Sequence, residues 1–193
     1  MNFSTHELRD LAIAWVALGV AFTFFFGGGV SVLRSGGFVS LFAISMATAG
    51  VGFLLHEIAH KVVAVRFDQV AEFRADYGML FLAIASSLAG FLFAAPGAVH
   101  HRGMVTDREH GLIALAGPIT NLGLAVVFLP IWFVLPTVGR FGVAINLLLA
   151  GFNMLPFGPL DGRTVLGWSK VVFVAVFVPS VGLALLALGL FAL

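Results

Sequence analysis

The residues best suited to chemistry are His56-Glu57-Ile58-Ala59-His60. Two histidines at i and i+4 share one face of a helix, so both imidazoles can reach a single zinc ion. Glu57, one position on, sits beside that face and can take a proton from a water on the metal. The segment before His56, Phe38–Leu55, carries no charge, so the triplet is embedded in an apolar helix. An ionisable group at mid-bilayer costs about 2.5–3.5 kcal/mol, which a function or a structural partner must offset. The structural alternative makes His56 and His60 polar glue between helices and pairs Glu57 with a base such as Lys61.

Two histidines do not complete a catalytic zinc site, which takes three protein ligands and leaves one position open. The chain has no cysteine, so the third ligand must be His, Asp or Glu. Asp161 is the best candidate. It follows Asn153-Met154-Leu155-Pro156-Phe157-Gly158-Pro159-Leu160 and precedes Gly162. Pro156 and Pro159 each lack an N–H and clash with the preceding turn, and they push the residues before them toward extended backbone. The helix is therefore expected to unwind there. Unwound backbone at membrane depth is tolerated only where it lines a cavity or is buried in protein. It can aim the Asp161 carboxylate at the metal and offer backbone groups to an extended peptide, which Asn153 and Pro156 would contact. The alternative is a Pro-rich turn closed by an ordinary capping aspartate.

These residues need apolar elements to hold them, and the composition supplies little else. Hydrophobic residues make up 61% of the 193, and charged residues 10% against roughly 25% in soluble proteins. So little polar surface excludes a soluble enzyme, a disordered chain and a disulfide-stapled domain. Ten Lys+Arg against nine Asp+Glu, with no basic run, gives no sign of nucleic-acid binding. No segment alternates like a barrel strand, so the spans are expected to be helices.

The reading is an all-α membrane protein of about six transmembrane helices. The apolar runs are Leu11–Val30, Phe38–Val65, Gly78–Pro96, Gly111–Leu135, Phe141–Phe157 and Val165–Leu193, the last one kinked or divided at Pro179. Ser4 and Glu7 fit a capping box that opens the first helix. The first run is too long, and its leading segment not basic enough, for a signal peptide. The positive-inside rule gives no orientation, because Lys and Arg divide evenly between the two sides of this layout.

At this point the motifs resemble the site-2 protease family of intramembrane zinc metalloproteases. That family joins a His-Glu-x-x-His helix to an Asn-x-x-Pro…Leu-Asp-Gly segment in a later span, and both are intact here, as His56–His60 and Asn153–Gly162. Ala116-Gly117-Pro118-Ile119-Thr120-Asn121 is similar to the family's Ala-Gly-Pro-x-x-Asn signature. Many relatives have a second glycine after Asp-Gly where this chain has Arg163. The resemblance covers roughly Phe53–Arg163. It implies one zinc ion held by His56, His60 and Asp161, with Glu57 as general base. The implied function is regulated intramembrane proteolysis, hydrolysing a peptide bond in a transmembrane segment of another membrane protein. A single multi-pass protease domain in the cell membrane is expected over 1–193. Its core spans are about 38–65, 111–135 and 141–163, its flanking spans 11–30 and 165–193, with no PDZ or CBS domain. From other classes, the alternatives are a catalytically silent zinc-binding membrane scaffold and an ion transporter.

One conflict arises. His56, His60 and Asp161 must meet at one depth, and both motifs lie near the C-terminal ends of their runs, so these two spans should be parallel. Six simple crossings make them antiparallel. The segment 78–110 is therefore expected to form a hairpin-like, re-entrant or short β element, with Ala95-Pro96-Gly97-Ala98-Val99 as its turn or extended part. In the resembled family this region contributes β-strands and a re-entrant loop. His100, His101 and His110, with Asp107 and Glu109, read as solvated loop residues, His6 as an exposed helix-start residue, and Asn121 as a hydrogen-bonding partner for a neighbouring helix.

Overall fold

The computed structural model describes residues 2–93 and 96–189. It is mostly helical, with one two-stranded sheet. In chain order the elements are α1 (Thr5–Phe26), a 3₁₀ turn (Gly29–Leu33), α2 (Phe38–Ser45), a π turn (Met46–Gly50) and α3 (Val51–Arg66). Then come β1 (Val70–Ala75), α4 (Tyr77–Leu88), β2 (Gly97–Arg102), α5 (Asp107–Val134), α6 (Pro136–Asn153), α7 (Asp161–Trp168) and α8 (Lys170–Leu188). Two compact units result, one of residues 2–54 and 72–100, the other of 55–71 and 101–189.

Among the described residues, four helices are long and apolar enough to cross a membrane: Thr5–Phe26, Phe38–Arg66, Asp107–Val134 and Lys170–Leu188. The second joins α2, the π turn and α3 without a break. Three of the six expected runs come out differently. Among its described residues the run Gly78–Pro96 holds one helix, the 12-residue α4 that starts at Tyr77, about 18 Å of helix against a hydrocarbon core of about 30 Å. Its helix stops because Gly90 takes a left-handed φ of 88° and the Ser86 hydroxyl accepts the Phe93 N–H. The run Phe141–Phe157 lies on α6, which begins earlier, at Pro136, and ends at Asn153. The run Val165–Leu193 is divided: extended Ser169 separates α7 from α8, while Pro179 sits inside a continuous α8. Residues 190–193 and Ala95 lie outside the described residues. Gly97–Val99 belongs to β2, so among its described residues 78–110 holds a short helix and a strand, the short β element expected there in place of a simple crossing.

In the first unit, α1 is opened by Ser4, whose Oγ accepts the Glu7 N–H at 3.1 Å and donates to the Glu72 carboxylate. The bond from the Glu7 N–H is the Ser4 half of the expected capping box, and the Glu7 side chain also reaches β1. It is buried, and its carboxylate accepts the Phe73 N–H at 3.1 Å. One turn on, Asp10 accepts the Ala75 N–H (3.1 Å) and the Tyr77 hydroxyl (2.6 Å). The edge of β1 is thus closed by carboxylates of α1, one way to cover a strand edge. Trp15 covers the π turn: its indole N–H donates to the Met46 carbonyl, and its ring fills the space a side chain at Gly50 would need.

The second unit is a helix cluster whose backbones approach closely through small residues, as expected where helices associate in lipid. Gly142 lies against the Phe128 ring, Gly139 against the Trp132 backbone, and Gly151 against Ser180 and Ala184. Ala114, Met154, Val165 and Phe173 form its buried apolar centre, with Trp168 and Phe177 packed around them. That centre ties the end of α6 to α7 and so fixes the loop between them.

Candidate metal centre

The helical period puts His56 and His60 one turn apart on α3, with ring centroids 4.6 Å apart and planes nearly perpendicular. Both rings and Glu57 are buried. Three α5 residues at i, i+4 and i+8 line them. At one end the Ile113 carbonyl accepts from His60 Nδ1 at 2.7 Å, and at the other Asn121 Oδ1 meets His56 Nδ1 at 2.6 Å. Between them Gly117 leaves room for both rings, because a Cβ there would fall within them.

Asp161 arrives from the other side in sequence. After α6 ends at Asn153, residues 154–160 are non-helical, as the two prolines require. Leu160 is extended (φ −80°, ψ 151°), and Asp161 is the first residue of α7. Asp161 Oδ2 then lies 3.3 Å from His56 Nε2 and 3.4 Å from His60 Nε2. Among the described residues, His56, His60 and Asp161 are the one cluster of three or more His, Cys, Asp or Glu that can hold a metal ion, their ligand atoms lying within 4.8 Å of one another.

The chemistry of this donor set fits zinc. His60 Nδ1 faces a backbone carbonyl, which only accepts, so that ring carries its proton there and presents Nε2 as a bare lone pair; His56 Nδ1 faces Asn121 Oδ1, an arrangement that fits the same tautomer. Asp161 Oδ2 is buried with no hydrogen-bond partner. The two Nε2 atoms and Asp161 Oδ2 thus face one point in a largely buried setting, an arrangement that a divalent cation satisfies. The two Asp161–imidazole distances agree: bonds of about 2.0–2.2 Å in tetrahedral geometry hold ligand atoms roughly 3.3–3.6 Å apart.

The other expected residues are placed as follows. Asn153 is half-buried, and its Nδ2 donates to the Leu149 carbonyl one turn back, at 3.0 Å. Pro156 is exposed in the loop leading to Asp161. His100 and His101 lie on β2 instead of in a loop, and the His101 ring meets that of His110 edge-on at 5.3 Å. His6 is exposed. Asn121 does bond across helices, but to the metal centre itself. Asn146 of α6 escaped the sequence reading: fully buried, its Oδ1 accepts from Asn121 Nδ2 at 2.9 Å. The available signal was a pair of amides inside otherwise apolar helices.

Two relatives extend the picture. The chain is 41% identical over 189 residues to the protein named Putative zinc metalloprotease MJ0611 of Methanocaldococcus jannaschii, covering 94% of each chain. It is 31% identical over 158 residues to Putative zinc metalloprotease YwhC of Bacillus subtilis, covering 66% of this chain and 69% of that one. No family model matches the chain, and no solved structure matches it significantly. With zinc as the cofactor that this donor set and these relatives share, the chain belongs to their family of zinc metalloproteases.

Proposed function

We propose that the protein is an intramembrane zinc endopeptidase of the site-2 protease kind, which cuts a peptide bond in a transmembrane segment of another membrane protein. The observation that carries this reading is the meeting of His56 Nε2, His60 Nε2 and a hydrogen-bond-free Asp161 Oδ2. It is supported by the apolar helix in which the histidines lie. In this reading 38–163 form the protease core of a multi-pass cell-membrane protein, with 11–30 and 165–193 flanking it.

His56, His60 and Asp161 hold one zinc ion, which supplies Lewis-acid polarisation of the scissile carbonyl and acidifies a water. Glu57 takes the proton from the attacking water and returns one to the leaving amine. Asn153 and Pro156 border the loop that leads to Asp161 and contact the substrate chain. The substrate helix must open locally, because a helical carbonyl is engaged in its own hydrogen bond, so helix-weakening residues near the cut favour cleavage.

The test is reconstitution of the zinc-loaded protein in liposomes with a panel of single-span substrates, with and without such residues. Glu57→Gln is expected to keep its zinc and lose roughly 10²–10⁴-fold in cleavage rate, whereas Asp161→Ala loses the metal. Undiminished cleavage by Glu57→Gln, or a zinc-loaded wild type that cuts nothing in the panel, overturns the reading.

A further inference from the structure

The Nδ1 side of His56 leads into a chain of short polar contacts that ends on backbone. His56 Nδ1 meets Asn121 Oδ1 at 2.6 Å, Asn121 Nδ2 donates to Asn146 Oδ1 at 2.9 Å, and Asn146 Nδ2 donates to the Gly142 carbonyl at 2.8 Å. Both amides are fully buried. An amide group can turn over and exchange its oxygen for its nitrogen, so a single Asn beside a histidine does not choose the imidazole's tautomer. The far end of this chain removes that freedom.

A backbone carbonyl only accepts. Gly142 therefore requires Asn146 to present Nδ2 to it, which turns Oδ1 toward Asn121. Asn121 must answer with Nδ2, which turns its own Oδ1 toward His56. The imidazole is left to donate from Nδ1. Reversing any one amide sets two acceptors or two donors against each other at hydrogen-bond distance in a buried site, with the full cost of unsatisfied groups. His60 needs no such relay, because its Nδ1 meets the Ile113 carbonyl directly.

We propose that Asn146 is a positioning residue for the metal centre: through Asn121 it transmits the polarity of the Gly142 carbonyl to His56 and holds that ring as the Nδ1–H tautomer, with Nε2 bare. α6 thereby acts on the centre twice, through this relay and through the loop that delivers Asp161. The inference rests on the reading of His56 Nε2 as a metal ligand, but its first readout needs no metal.

The experiment measures the ¹⁵N spectrum of histidine-labelled, zinc-stripped protein in micelles, with His56 assigned by its absence from His56→Gln, and then zinc affinity by competition with a chelator. Wild type is expected to show protonated Nδ1 and bare Nε2 at His56. Asn146→Leu, which removes the relay while roughly keeping volume, is expected to admit the other tautomer and to weaken zinc binding about 10–100-fold, the usual effect of losing an outer partner. Asn146→Asp, protonated in this apolar setting, still donates to Gly142 and accepts from Asn121, so it is expected to restore the tautomer and bring zinc affinity within a few-fold of wild type. A merely structural role would not separate the Leu and Asp variants by tautomer. A wild-type His56 protonated at Nε2, or a folded Asn146→Leu with unchanged tautomer and affinity, overturns the proposal. If Asn146→Leu does not fold, the wild-type spectrum and Asn146→Asp decide it, a changed tautomer in the latter counting against. Failure of wild type to bind zinc would instead strike the metal reading and leave the tautomer result standing.

Discussion

Gly117 of α5 lies directly against the ring of His56: a Cβ on it would come within 2.5 Å of Cε1. The same Cβ would stand 2.5 Å from His60 Nε2, so one hydrogen atom in place of a methyl group makes room for both imidazoles. The rings cannot simply turn aside, because each is held at Nδ1 by another α5 residue. Gly117→Ala is therefore expected to displace at least one ring and to lower zinc affinity by about tenfold or more, as when a ligand's outer support is lost. Overpacking should also cost about 1–3 kcal/mol of stability. Metal content after dialysis, compared with circular dichroism of the same sample, checks it; full zinc occupancy with wild-type affinity would refute the argument.

A second expectation concerns the metal's part in stability. Without a cation, the two Nε2 atoms face Asp161 Oδ2, which is buried with no hydrogen-bond partner. Binding to the folded state alone stabilises by about 2.7 kcal/mol at a free zinc concentration of one hundred times Kd. Thermal unfolding in detergent should therefore move down on adding a chelator and recover when zinc is restored. Asp161→Ala should melt at nearly the same temperature with and without chelator. Equal chelator sensitivity in both proteins would show that the stabilising zinc sits elsewhere.

Much of this centre was legible because its signals are local. His56 and His60 are one helical turn apart in a charge-free run, and Pro156 and Pro159 announce the break before Asp161 within a few residues. What stayed hidden depends on partners far along the chain. Nothing near Asn146 says that its partner is Asn121 on the preceding helix. The strand Val70–Ala75 is too short and too polar to announce itself: Glu72 and Arg74 interrupt it, although Ala71 and Phe73 are buried. By hydropathy alone the run from Gly78 counts as a span, since apolar content is blind to the left-handed turn at Gly90 that ends the helix; only the need to bring both motifs to one depth pointed to a hairpin-like or short β element there. The π turn at Met46–Gly50 likewise has no local signature, since it is matched to Trp15 on α1.

The carboxylates on β1 lead to a third prediction. Glu7 accepts the Phe73 N–H and Asp10 the Ala75 N–H, alternate donors along one strand edge. Removing a charged acceptor strands a donor in a partly buried setting, at a cost of about 1–3 kcal/mol. Glu7→Ala should therefore speed amide exchange at Phe73 by roughly five- to 150-fold. Glu7→Gln keeps an oxygen in place and should have a much smaller effect. Hydrogen–deuterium exchange of a peptide covering 70–77 resolves the two cases, and equal exchange in both variants would deny Glu7 this role.

The last prediction separates two glycines of the loop that delivers Asp161. At Gly158, φ is +62° but the space around it is open, so Gly158→Ala meets only the backbone penalty of the left-handed region, about 1–2 kcal/mol. At Gly162 the conformation is helical, yet a Cβ would collide with the Met154 and Leu155 carbonyls, which are main chain and cannot rotate away. Met154 is itself fixed, fully buried in the cluster with Val165 and Phe173. Relief can come only by moving the start of α7, and Asp161 is its first residue. Gly162→Ala is thus expected to weaken zinc binding by about tenfold or more, whereas Gly158→Ala lowers the melting temperature and leaves zinc affinity within a few-fold of wild type. Chelator competition on the two purified variants makes the comparison. Equal zinc affinity in both would mean that the close contact of Gly162 with the end of α6 has no part in aiming the carboxylate.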